Sequence, residues 1–360
     1  MPKSFAFSIP KSSLLRIIAG LVTSVLTTSP SHVNANDQAW RAGASKVDIT
    51  PTEPVRMAGY GNRNRPSEGV DSPLSVRCVA LRHQSLPEAT GDDHRDTLLL
   101  VAIDTIGLPG SLARQINGKI EQRFATPRQN IVLTSTHTHC GPDLISELSN
   151  IFSTPMTDEE RAAGLRYKSR LIAAVGDAVA AAIGDLKPAM LDYEVGMATF
   201  AANRRVLTGG RWTAFGVQPD GPVDHALPVL RISDHDGNVR GVVFNYACHG
   251  TTLSGDHYRI NGDWSGFASE ALEAASPGMV ALSTIGCGAD ANPEPRGALE
   301  FAVAHGNAIM AEVSRIAAGP MRPITQNADP RFEHAALTFE LPTIEEVRQR
   351  MDDKSPQISR

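Results

Sequence analysis

The stretch LLLVAIDTIGLPGSLARQINGKIEQRFATPRQNIVLTSTHTHCGPD, Leu98–Asp143, reads as strand, helix, strand. Leu98 to Ile103 is a continuous apolar run, the pattern of a strand buried on both faces. Ser111 can cap a helix in which Leu112, Ile116, Ile120 and Phe124 recur every four residues and make one apolar face. Ile131, Val132 and Leu133, β-branched or apolar and set between Pro127 and Gly141, predict a second strand. Two strands joined through a helix predict a parallel crossover and an α/β protein.

That second strand delivers His137 and His139 into a Gly-Pro loop. In extended backbone, residues i and i+2 project to one face, so the two imidazoles are expected side by side. Loops at the carboxyl ends of strands are where α/β sheets build ligand sites. The bland alternative is a pair of threonine-flanked histidines that only hydrogen-bond at a strand end. A second segment, Val239 to His249, ends alike, with β-branched residues, His249 and then Gly250. Asp234 to Asn238 is turn sequence, so Ala226–Ser233 and Val239–Cys248 are expected to form a hairpin. Two strand ends that each carry His beside Gly predict one shared site. Neutral imidazole is the commonest protein ligand for zinc.

Elsewhere the pattern keeps alternating. Asp158–Asp185 reads as a long alanine-rich helix closed by Lys187-Pro188, and Met190–Phe200 as a strand. A helix is expected from Asp263 to about Ala275, a strand over Met279–Ile285 and a helix over Ala298–Ala318. Gly209-Gly210 and Gln218–Pro222 mark exposed loops. The expectation is an α/β fold with a mixed β-sheet core and flanking helices, and nothing marks a second domain. Arg331–Leu341 alternates apolar and polar residues and predicts a strand, and Thr343 with Glu346 gives a capping box. A strand and a helix begun just before a polar end suggest a shortened relative or truncated frame, with a compact variant as the alternative. The expected organisation is a signal peptide over 1–35, a catalytic domain over 36–341, and a truncated helix and tail over 342–360.

At the amino terminus Lys3, Lys11 and Arg16 precede the apolar run Ile17–Leu26, and Val33-Asn-Ala35 supplies small residues for cleavage. That is the layout of a secretory signal peptide, too short in its apolar part to span a bilayer, so export is expected. Cleavage after Ala35 removes three basic and no acidic residues, taking the formal charge from −5 to −8. An acidic chain without basic clusters argues against nucleic acid and anionic membrane surfaces as main partners. Hydrophobic residues make up 41% of the chain, ample for a core, and no later stretch has the length of a membrane helix. Cys78, Cys140, Cys248 and Cys287 allow disulfides, a soft metal ligand or buried thiols, the last being the default. The oligomeric state is not legible.

Several blocks taken in order resemble the neutral/alkaline non-lysosomal ceramidases. Ser135-Thr-His-Thr-His-Cys-Gly-Pro142 is similar to that family's Thr-His-Thr-His-Ser-Gly-Pro-Gly signature, and Asn245–Thr251 to its Asn-Trp-Phe-Ala-Val-His-Gly-Thr block. Met57–Tyr60, Asp104, Asn203-Arg204 and Gly262–Ala268 extend the likeness over roughly residues 42 to 297. The resemblance implies zinc held by His137 and His249, with His139 and Arg204 around the scissile amide carbonyl. On that reading His139 titrates near neutrality and exchanges a proton with the leaving amine, while Arg204 stabilises the developing oxyanion. Arg205 beside it leaves the register open by one residue, and a surface salt bridge is the plain alternative.

Two departures stand out. The family completes its metal shell with a Glu and a Tyr further downstream that have no counterpart here; Asp104, Asp263 and Asp290 are conceivable substitutes. Its motif serine, in Gly-Asp-Val-Ser-Pro-Asn, is missing from Gly286-Cys-Gly-Ala-Asp-Ala-Asn-Pro293, where Asp290 and Asn292 either line a substrate site or serve only the turn. The implied function is a zinc-dependent hydrolase of a lipid amide that splits N-acylsphingosine into fatty acid and sphingoid base. The rivals are a catalytically impaired remnant or binding protein of the same fold, and a metal-dependent ester or phosphoester hydrolase.

Overall fold

Alternate residues along the central strands enter two different apolar cores, and this sorting defines the layers of the molecule. The computed structural model describes residues 39–351 except 88–90, 92, 146–151 and 153. All of these lie in one compact unit, Ala35–Arg360. The strands are β1 (Trp40–Asp48), β2 (Gly69–Val70), β3 (Ser75–His83), β4 (Leu98–Ile103), β5 (Ile131–Ser135), β6 (Lys187–Met197), β7 (Ala201–Asn203) and β8 (Arg205–Thr208). They continue as β9 (Arg211–Phe215), β10 (Ala226–Ser233), β11 (Val239–Tyr246), β12 (Arg259–Ile260), β13 (Val280–Ile285), β14 (Ala291–Pro293) and β15 (Arg322–Pro323). The helices are α1 (Gly110–Phe124), α2 (Asp158–Gly184), α3 (Asp263–Ala275), α4 (Leu299–Ala317) and α5 (Ile344–Met351).

Eight strands form the path β13-β11-β10-β6-β1-β3-β4-β5, and β15 pairs with β6 as well. β4/β5 and β11/β13 are parallel and the other pairs antiparallel, so the expected mixed sheet, crossover and hairpin are present. The path folds back on itself, because β13 at one end also packs on β3, β4 and β5. In β3, Val76, Cys78 and Ala80 face a core shared with the apolar residues of α1 and α2. Val79 points the other way and meets Ile232, Val243 and Leu282 from the opposite half. Val242, Phe244 and Ala281 in turn face α3 and α4. The result is four layers: helices, sheet half, sheet half, helices.

Local chemistry explains the principal elements. Thr157 and Glu160 form a reciprocal capping box at the start of α2, and Asp158, Glu159 and Glu160 complement the helix dipole there. Leu171, Val175, Ala178 and Ala182 then bury one stripe against the sheet. Gly43 allows the closest approach, since a Cβ there would sit 2.0 Å from the Ala182 carbonyl oxygen. Truncating a fully buried leucine such as Leu171 to alanine costs about 2–5 kcal/mol.

Three boundaries differ from expectation. Pro109, not Ser111, is the N-cap of α1, because proline's fixed φ suits the entry to the first turn. β6 starts earlier, at Lys187, and ends at Met197, with Pro188 tolerated near the strand's beginning. Arg331–Leu341 is not a strand: Leu337, Phe339 and Leu341 are 86%, 89% and 80% exposed, and among the described residues no edge pairs with it. Alternation supplies an apolar face, but a lone strand leaves its backbone groups unpaired. The Thr343–Glu346 capping box does start α5, which buries no residue. The expected signal peptide lies outside the described residues, as does the tail from 352.

This folding back positions the site. β5 ends the strand path and β11 lies next to its other end, yet their carboxyl termini meet in a parallel bridge between Thr138 and Gly250.

Candidate functional site

Past Ser135 the chain stops being a strand, and His137 takes a left-handed φ of +56°. The two histidines of the doublet therefore come together through a kink and not by strand alternation, which corrects the expected mechanism. Their ring centroids are 5.1 Å apart at 82°. Gly250 lets the second strand end close on this kink, since a Cβ there would lie 2.7 Å from the His137 carbonyl oxygen. The His139 amide then donates to the Gly250 carbonyl at 3.0 Å. Across the gap, the His249 ring lies 4.5 Å from that of His137 and 5.6 Å from that of His139.

Each imidazole is pinned by its Nδ1. His137 Nδ1 donates to Ile106 O at 2.6 Å, His139 Nδ1 to Gly59 O at 3.0 Å, and His249 Nδ1 to Gly288 O at 2.7 Å. A carbonyl only accepts, so these contacts put the proton on Nδ1 and leave an Nε2 lone pair on each neutral ring. The ligand atoms of the three histidines all lie within 4.8 Å of one another. Burial lowers all three pKa values: His139 to about 3, with the two neighbouring rings adding to the effect, His249 to about 4, and His137 to below its ordinary value. The expectation that His139 titrates near neutrality is therefore corrected, because its ring is too deeply desolvated to hold a charge.

Arg204 comes from the start of a small hairpin. β7 pairs with β14, so Asn203 and Ala291 are partners and the Arg204 amide donates to Asp290 O at 2.7 Å. The guanidinium of Arg204 donates to Ala289 O, to Asn292 Oδ1 at 3.1 Å and to His249 Nε2 at 3.1 Å. Arg205 donates to Ala289 O at 3.4 Å, and of the two neighbouring arginines it is Arg204 that hydrogen-bonds a histidine. Burial and the neighbouring cations Arg205 and Arg296 lower the Arg204 pKa. Asn292 also accepts from Thr251 Oγ1 at 2.9 Å, so it couples the arginine to the loop after His249. Asp290 accepts from Asn203 Nδ2 at 3.1 Å and braces the hairpin root.

The segment that replaces the serine motif supports the site through its backbone: Gly288 O holds His249 and Ala289 O holds Arg204. A Cβ on Gly288 would meet Cys248 N at 2.5 Å, so this approach needs glycine. Among the described residues no carboxylate joins the histidine cluster. Asp104 is buried and accepts from Ser75 N and Arg77. Asp263, fully buried, accepts from the Thr252 amide and hydroxyl and from Trp264 N. It holds the loop that follows His249, whose carbonyl takes the Trp264 Nε1 proton at 2.9 Å.

Two supports were missed in the sequence. Gly59 has φ +100°, and a Cβ there would come within 2.8 Å of His139. Arg63 is fully buried and donates to the carbonyls of Ala58, His139, Gly255 and His257. The polar run Asn62–Arg65 reads as surface loop, so nothing local signals a buried guanidinium. All four cysteines are free, and burial raises the pKa of Cys78, Cys140 and Cys248, which makes them inert thiols. A cleft of about 390 Å³ between α1 and α2 is lined by none of these site residues.

The donor set suits a zinc ion in type: three neutral imidazole nitrogens, each fixed by a second hydrogen bond. His139 Nε2 is moreover a buried polar atom without a hydrogen-bond partner.

The sequence profile described as neutral/alkaline non-lysosomal ceramidase, N-terminal, matches residues 40–335. The chain belongs to this family. Among ceramidase relatives, the neutral ceramidase of Mycobacterium tuberculosis (strain ATCC 25618 / H37Rv) is 26% identical over 63% of this chain and 34% of its own length. That of Pseudomonas aeruginosa is 22% identical over 69% of this chain and 36% of its own. The crystal structure of neutral ceramidase from Pseudomonas aeruginosa superposes with a TM-score of 0.64 at 19% identity, covering 78% of this chain and 45% of that one. The chain thus spans about a third of the length of the curated ceramidases it matches, and shares the ceramidase fold. No described helix is long and apolar enough to cross a membrane.

Proposed function

We propose that the chain is a zinc-dependent hydrolase of N-acyl lipid amides, ceramidase-like, with His137 and His249 holding the ion. The observation that carries this reading is the convergence of imidazole Nε2 lone pairs from two strand ends beside the Arg204 guanidinium. A zinc ion supplies Lewis-acid polarisation of the amide carbonyl and activation of water.

The chain's own residues do the rest. In the net reaction water's oxygen bonds to the acyl carbon, the C–N bond breaks, and the amine nitrogen leaves with a proton. Arg204 lies where the carbonyl oxygen gains charge and stays cationic there, with Asn292 and the Ala289 carbonyl fixing its plane. His139, neutral and standing further from the other two rings than they stand from each other, accepts a hydrogen bond from the attacking water or the substrate amide. Asp290 and Asn292 shape the substrate side through the hairpin root. The lipid amide class and export through an amino-terminal signal belong to the same proposal.

A second reading, a binding protein of the same fold without the ion, is favoured by one contact: Arg204 donates to the His249 lone pair that a metal would use. Release of fatty acid from a fluorescent ceramide, with and without chelator, tests the choice. Chelator-sensitive release supports the hydrolase. Stoichiometric zinc binding without release of any acyl chain, or no zinc binding at neutral pH, rejects it. Turnover of phosphoesters in place of ceramide favours the phosphoester hydrolase.

A further inference from the structure

The hairpin rooted at Arg204 carries apolar side chains that the fold does not cover. β8 and β9 turn through Gly209 and Gly210, both at positive φ, a tight two-residue connection. Along it Leu207, Trp212, Phe215 and Val217 are 50%, 54%, 60% and 48% exposed. Trp212 and Phe215 meet edge to face at 5.4 Å, and the Phe215 ring lies beneath both Arg204 and Arg205. From residue 204 to 217 there are three arginines and no acidic residue, in a chain of formal charge −5.

We infer that this hairpin docks the site's mouth onto an anionic lipid surface. Tryptophan and arginine side by side suit the headgroup boundary, where a ring can bury its apolar body while the guanidinium meets phosphate. A local excess of positive charge on an acidic protein favours that surface over an uncharged one. The hairpin is continuous with the site, since Gly216 N donates to Arg204 O and Gln218 N to Asn203 O. This inference rests on the lipid-amide reading: a substrate anchored in a bilayer has to reach Arg204 from that surface.

Trp212 provides a clean readout, because Trp40 and Trp264 are 3% and 0% exposed. Full-length protein is mixed with phosphatidylcholine–phosphatidylglycerol vesicles, and with phosphatidylcholine alone, while tryptophan emission and co-sedimentation are followed. The expected result is a blue shift with the anionic vesicles and a much smaller one with the neutral vesicles. Leu207→Ser with Val217→Ser keeps the reporter and is expected to weaken vesicle binding about ten- to a hundredfold. The same pair is expected to slow release from vesicle-embedded ceramide while leaving turnover of a water-soluble short-chain amide unchanged. Unmoved Trp212 emission overturns the inference, as does an equal response to both vesicles. A blue shift that follows protein concentration without vesicles identifies a second copy as the occupant and also overturns it. Vesicle binding needs no turnover, so a protein that docks but hydrolyses neither amide rejects the hydrolase and leaves the docking surface standing.

Discussion

Two histidine-centred clusters in this molecule are built on opposite rules. At one, His257 Nε2 meets Asp71 Oδ2 at 2.7 Å, and Arg259 donates to the other oxygen of the same carboxylate. The product is a clamp that ties β2 to β12. At the other, His137, His139 and His249 have no carboxylate among the described residues; their Nδ1 atoms face carbonyls and their ligand nitrogens lie within 4.8 Å of one another. The partner decides the chemistry: a carboxylate occupies the histidine nitrogen in a structural contact, whereas a carbonyl on Nδ1 fixes the tautomer and leaves the other nitrogen for a ligand.

The largest effect is expected where the contrast is removed. Replacing both His137 and His249 by alanine should abolish zinc binding, measured by metal analysis of the purified protein, and cut ceramide turnover by at least about 100-fold, since even outer partners of a metal cost 10–100-fold. His139→Ala should keep the metal and lower kcat roughly 10²–10⁴-fold, the range for a positioned proton-exchange or hydrogen-bonding group; parallel loss of metal and turnover would make this ring a ligand instead. Arg204→Met should lower kcat about 10²–10³-fold, as loss of an oxyanion donor does. Its zinc affinity should not fall, because the competing donor at His249 Nε2 is gone.

Acid is expected to weaken the histidine site. His139 and His249 have folded pKa values of about 3 and about 4, below the usual value near 6.5. Between those limits the unfolded chain binds more protons, so these rings' contribution to stability is complete above about pH 6.5 and is lost as pH falls through the folded values. Melting of chelator-treated protein should show this decline, and His139→Gln should flatten it; an unchanged slope would contradict the buried, neutral ring. The smallest effect is expected at the clamp. Asp71→Asn should cost about 1–2 kcal/mol of stability by denaturant unfolding while leaving zinc binding intact.

The elements legible in sequence were those whose signals are local. Leu112, Ile116, Ile120 and Phe124 give α1 by their spacing, Thr157 with Glu160 starts α2, and Asp234–Asn238 turns the hairpin between β10 and β11. The strand ends that carry His137 and His249 were legible too. That they share one site was expected from their matching His-Gly endings, but the route by which they meet was not, because it depends on the strand path folding back, a long-range event that no single segment encodes. The left-handed φ of His137 was hidden for a related reason: Gly250, more than a hundred residues away, makes room for it. Arg63 escaped notice since its partners are four backbone carbonyls, which leave no trace in residue types. Arg331–Leu341 failed in the opposite sense, having strand alternation without a neighbour to pair with among the described residues.

Anomalous diffraction at the zinc edge, from crystals of protein loaded with zinc at neutral pH, tests the account most directly. The predicted result is one peak about 2.0–2.1 Å from Nε2 of both His137 and His249, with the Arg204 guanidinium moved off His249. A peak bound elsewhere, or none with Arg204 still donating to His249 Nε2, would contradict it.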